Sequence, residues 1–163
     1  MADQKISDLT ASTSLDDTDY LETSKAGTPR LSRRISASLI PNLVKDIACG
    51  DETSVLTTGT KVTFRWKGRP LNNGLKISAS LTTAQASGAT LVTVDVKKNG
   101  TSFFTTKVTI DNTEKTSETA ATPAVISGSN NTIAYDDEIT VICDAIQAGT
   151  AAAGLKVYIE GRA

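Results

Sequence analysis

The residues able to do chemistry fall in a few short runs. Asp16, Asp17 and Asp19 form one acidic cluster, and Asp136, Asp137 and Glu138 form another. Several carboxylate oxygens held together are what a hard cation such as calcium requires. Neither run has the spacing or the glycine of an EF-hand loop. The plain reading of each is a solvated turn before a strand, its Asp accepting local backbone N–H bonds. Arg65, Trp66, Lys67 and Arg69 combine positive charge with an aromatic ring, the mixture used by single-stranded nucleic-acid platforms. Trp66 is in phase with Val62 and Phe64, which turns it toward a core and leaves only the basic residues outside. Arg30, Arg33 and Arg34 could meet a carboxylate-lined partner or be ordinary surface charge. Cys49 and Cys143 stand far apart, with no CxxC and no zinc spacing. Two buried thiols are the plain reading, and a long-range disulfide is the alternative.

Histidine is absent. The chain therefore lacks the side chain most used for proton transfer near neutral pH, which is also the commonest metal ligand. No dinucleotide-binding, Walker, GxSxG or HExxH pattern occurs. Gly59, Gly68, Gly74, Gly88, Gly100, Gly128, Gly149 and Gly154 fall between strand-like runs, where turn chemistry explains them. These observations assign no catalytic, cofactor-binding or metal residue, call for no cofactor, and lead us to expect a protein that is not an enzyme. Glycan-binding sandwiches commonly stack sugars on exposed aromatics, and aromatic content here is 4%. Tyr20, Tyr135 and Tyr158 are the free candidates, with Phe103 expected on a hairpin's outer face. An intersubunit contact explains an outward Tyr, Phe or Ile142 at least as well.

The elements that must position these residues follow from length and pattern. The chain has 163 residues, room for one well-cored domain plus an extension. Net charge is −1 and evenly spread, with six Lys/Arg against seven Asp/Glu in residues 1–50 and eleven of each in residues 51–163. No nucleic-acid or membrane partner is implied. No signal-peptide pattern and no apolar run near the roughly 20 residues of a membrane span is found, so a soluble protein made in a cytoplasm is expected.

Character changes near Cys49-Gly50-Asp51, dividing residues 1–50 from residues 51–163. The first part offers short strands at Asp19–Thr23 and Arg30–Ile35. Leu43, Val44 and Ile47, at helical spacing behind Pro41, predict one short helix between Ser38 and Ala48. This arm has too few apolar residues to fold alone and should order against copies of itself or a partner. The second part alternates with period two at Lys61–Trp66, Leu75–Leu81, Leu91–Lys97, Phe103–Ile110, Glu138–Cys143 and Leu155–Glu160, with a weaker strand at Ala124–Ser127. That pattern predicts a mostly β fold, an antiparallel β-sandwich of jelly-roll-like kind, with an extended N-terminal arm containing short strands and one short helix. Between the third and fourth runs, a two-residue Asn99-Gly100 turn would set Val94 against Thr105. A three-residue Lys98-Asn99-Gly100 loop with a bulge would set Val94 against Phe104 and Val92 against Thr106. Hydrophobic pattern favours the second closure.

These residues also carry a resemblance. Lys5-Ile6-Ser7-Asp8-Leu9-Thr10, then Leu15-Asp16-Asp17-Thr18-Asp19-Tyr20-Leu21, then Leu31-Ser32-Arg33-Arg34-Ile35-Ser36 resemble the N-terminal segment common in tailed-bacteriophage fibre and other virion proteins. The runs Val92–Ser102, Lys107–Asp111, Ala120–Ile126 and Gly154–Tyr158 are similar to β-rich domains of phage structural proteins. The resemblance implies a virion protein made in the host cytoplasm, a homotrimer that docks on other phage structural proteins through residues 1–50. It lacks a long shaft, which favours a short tail fibre or fibre adaptor. A capsid decoration or head-fibre protein, or a module binding a host surface glycan, are the other readings.

Overall fold

The computed structural model describes residues 20–23, 33–36, 43–147 and 152–162. Strands account for 51% and helix for 3%, so the chain is mostly β, with antiparallel sheets packed against each other. It divides into two compact units, residues 1–41 and residues 42–162.

In the first unit, β1 (Tyr20–Thr23) pairs antiparallel with β2 (Arg33–Ser36), setting Tyr20 opposite Ser36 and Thr23 opposite Arg33. The acidic cluster at Asp16, Asp17 and Asp19 and the first part of the expected helix lie outside the described residues.

The second unit begins with β3 (Leu43–Ala48), where the rest of that helix was expected. Residues 43–48 are strand, pairing along their whole length with β12 (Lys156–Arg162). The reason is tertiary. Two turns of isolated helix form poorly because nucleation is costly. Pairing with β12 instead gives the β3 backbone its hydrogen bonds and buries Ile47 opposite Val157. Residues 43–48, read from the sequence as the end of the arm, are thus part of the sheet.

One sheet runs β3, β12, β5 (Asn73–Ser80). The other runs β4 (Gly59–Arg65), β11 (Glu138–Ala145), β6 (Val92–Lys98), with β7 (Thr101–Ser102) and β9 (Val108–Ile110) pairing the far side of β6. A two-stranded piece joins β8 (Phe104–Thr106) to β10 (Val125–Ile126). The inward residues follow the period-two reading. Val92, Val94, Val96, Ile139, Val141 and Cys143 meet Ile47, Ile77, Ala79, Val157 and Ile159 in one apolar cluster. Burying each large aliphatic side chain there is worth about 1.5–3 kcal/mol.

The hairpin departs from expectation. Lys98 pairs Thr101 and Lys97 pairs Ser102, so the closure is the two-residue Asn99-Gly100 turn, with φ of 48° and 84°. Positive φ at both positions is the turn whose twist matches that of the strands. The expected three-residue loop is not formed. Apolar residues nevertheless meet, because Val94 pairs Val108 and Val92 pairs Ile110. Between the two registers the returning chain takes three extra residues. An odd number exchanges the faces, and the excursion leaves the sheet as β8. The same geometry moves Phe103 inward. Its N–H bonds Val96 O at 2.9 Å and its ring is fully buried, which corrects the outer-face expectation.

Candidate functional site

The acidic run at residues 136–138 forms the turn into β11. Asp137 accepts from the Ala134 N–H (2.7 Å) and from the Asn99 amide (2.7 Å), while Glu138 pairs Arg65 at 3.3 Å. Asp136, at φ 70°, accepts from the Lys67 ammonium, and that bond holds its carboxyl below the usual range. Every carboxylate in the turn thus has a donor within the protein. Among the described residues no cluster of three or more candidate ligands is suited to a metal.

Trp66 is buried, and its indole N–H donates to Arg69 O at 2.8 Å. It offers no face to a base. Arg65, Lys67 and Arg69 surround it on the exposed side, with Lys67 Nζ 4.9 Å from the centroid of the Tyr135 ring. Tyr135 is 62% exposed, the most open aromatic among the described side chains. Tyr158 is half-buried, with its hydroxyl 3.0 Å from Ser80 Oγ. Ile142 is half-buried. Tyr20, Arg33 and Arg34 lie on the β1–β2 hairpin, and Arg30 lies outside the described residues.

Both thiols are free and buried. Burial pushes Cys49 up to about 11, against smaller lowering by the backbone at Val157 and by Lys61. Burial likewise raises Cys143. Near neutral pH each is a protonated, apolar filler rather than a nucleophile.

Two features escaped the sequence reading. On the outward face of β6, Asp95 is 2% exposed. It accepts from Ser102 Oγ at 2.6 Å and pairs Lys107 Nζ at 3.4 Å, while Lys107 also contacts Asp144. Ser102 and Lys107 flank the β8 excursion, so the carboxylate pins the extra residues over the sheet. Nothing in the alternating pattern distinguishes Asp95 from a solvated strand residue. The second feature is a groove of about 260 Å³ between the start of β5 and the end of β10. Its walls carry Asn72, Asn73 and Asn131, and Leu75 and Ile126 contribute its apolar surface. The residues that form it come from two stretches of chain, 72–75 and 126–131, so no single run signals it.

The chain matches no protein-family model, no curated protein and no solved structure. No helix among the described residues is long and apolar enough to cross a membrane.

Proposed function

We propose that the chain is a non-enzymatic structural component of a bacteriophage virion, a short tail fibre or fibre adaptor. It assembles as a homotrimer and is held on the particle by its N-terminal arm. The observation that supports this reading most is the division of labour along the chain. Of the phage-like opening motifs, Tyr20-Leu21 lies on β1 and Arg33–Ser36 on β2, in a compact unit distinct from that of the sandwich. The sandwich satisfies its own polar groups: among the described residues no buried side-chain N or O atom lacks a hydrogen-bond partner. A domain saturated in this way can act as a rigid body, with a separate arm supplying attachment.

The test is a truncation beginning at Asn42, which keeps β3 in its sheet. The expected result is a folded β unit that no longer joins the particle, together with a trimeric native mass for the full chain. Normal incorporation of the truncated chain would overturn the attachment role, and a monomeric full chain would overturn the trimer.

A further inference from the structure

We propose that Asn73 is a site of spontaneous covalent modification, where the Asn73-Gly74 pair closes to a succinimide and reopens as aspartate or isoaspartate. The inference stands on the start of β5 and does not rest on the virion reading. The backbone nitrogen of Gly74 attacks Cγ of Asn73. The carboxamide nitrogen leaves as ammonia, carrying the proton that the Gly74 nitrogen gives up, and a five-membered ring remains. Water then adds to one of the two ring carbonyls, breaks its bond to the ring nitrogen and returns a proton to that nitrogen. Opening at the side-chain carbonyl leaves aspartate. Opening at the main-chain carbonyl leaves isoaspartate, with one extra carbon in the backbone. Nothing is oxidised or reduced, and water is the only co-reactant. Glycine hinders this attack least, because it has no Cβ beside the nitrogen.

The chain holds two Asn-Gly pairs, Asn73-Gly74 and Asn99-Gly100. The fold treats them differently. Asn99 is clamped at both side-chain atoms. Its Oδ1 accepts from the Glu138 N–H at 2.9 Å, and its Nδ2 donates to Asp137 Oδ1 at 2.7 Å. Both bonds oppose any turn of its Cγ toward the Gly100 nitrogen. Asn73 is exposed, and its side chain hydrogen-bonds no described residue. No such bond therefore resists rotation of its carboxamide. The backbone differs too. Asn73 is the first residue of β5, and the ladder to β12 skips a position just beyond it. Arg162 pairs Asn73 and Glu160 pairs Lys76, so Gly74 and Leu75 together stand against Gly161 alone. Gly74 lies in that bulge at φ 60°, and a Cβ built on it meets nothing within 4 Å. The Asn72 N–H still bonds Arg162 O at 2.8 Å, so the chain before Asn73 is held. The movement that cyclisation needs is confined to the Asn73–Gly74 peptide. A strand end with an interrupted ladder opens at little cost.

The experiment incubates the full chain at mildly alkaline pH in ¹⁸O-labelled water, with a parallel sample unfolded in urea. Peptide mapping by mass spectrometry reads label uptake at each asparagine, and enzymatic methylation of isoaspartate counts that product. In the folded chain Asn73 should convert at least about tenfold faster than Asn99, because each hydrogen bond on Asn99 lowers its reactive population several-fold. In urea the two should convert at similar rates, because only the fold separates them. Each conversion makes the net charge of −1 one unit more negative, so an acidic form should build up on isoelectric focusing. Asn73→Ala should remove most of that form. Absence of conversion at Asn73 in the folded chain would overturn the proposal. So would equal or faster conversion at Asn99, an acidic form undiminished in Asn73→Ala, or a preference for Asn73 that persists unchanged in urea.

Discussion

Asp95 carries a carboxylate into the β unit with Ser102 and Lys107 as its partners. Removing the cation leaves a buried charge on one hydroxyl hydrogen bond. Lys107→Met should cost about 2 kcal/mol in urea unfolding, below the usual value for a fully buried pair because Lys107 is partly exposed. Cys49 sets a different limit. In the unfolded chain its thiol ionises near 9, whereas the fold holds the proton to about 11. Between those values the unfolded state binds fewer protons, so stability is complete below pH 9 and falls as pH rises toward 11. Burial shifts Cys143 the same way. Lys107, held charged by Asp144, adds its own loss only above its ordinary 10.5. Stability measured from pH 9 to 10.5 should therefore fall less steeply in Cys49→Ala than in the parent chain. An unchanged slope would count against burial as the cause.

The β6–β9 hairpin shows how local and long-range preferences were reconciled. Asn99-Gly100 took the tight turn that its types favour, and three extra residues then restored the apolar register. Parity gives a test. Deleting Thr105 alone leaves an even excursion and turns Val108 and Ile110 outward. Deleting Thr105 and Thr106 together leaves an odd one and keeps them inside. The larger deletion should be the more stable of the two by thermal unfolding. At the sheet borders, β3 and β4 each have one strand partner among the described elements. Lys45 lies on the inward-facing side of β3, opposite Ile159, and remains exposed. Lys61 is the extra residue where the β4 register shifts against β11. An inward charge on one edge and a bulge on the other both discourage edge-to-edge pairing. Lys45→Val should raise concentration-dependent association in sedimentation velocity above that of the parent chain.

For the chain as a whole, the important boundary lies before β3. A cut before Asn42 keeps all strands of the two packed sheets, whereas a cut after Ala48 removes β3, bares one edge of β12 and exposes the core where Ile47 sits. Losing the burial of Ile47 alone is worth about 2 kcal/mol. The chain lacking residues 1–48 should therefore unfold at clearly lower temperature than the one lacking residues 1–41. Equal melting temperatures would mean that β3 adds little to the sheet. The composition change near Cys49 marked a real transition in sequence texture, but texture does not report which strand completes a sheet.

Residue order by itself determined the β class and most inward faces. Val94, Val96, Ile139, Val141, Val157 and Ile159 are buried where their alternation places them, and Trp66 is buried with them. Those outcomes need only the period of a strand and the cost of leaving apolar surface in water. Tertiary structure alone decided that residues 43–48 are strand, that Phe103 faces inward, that Asp95 is covered, and that three asparagines share one groove. Each depends on segments far apart in the chain. Pairing with β12 overrides a weak helical spacing, and a three-residue excursion sets the parity of β9 against β6. Local propensity is worth tenths of a kcal/mol per residue, whereas register across a sheet decides whether whole side chains are buried.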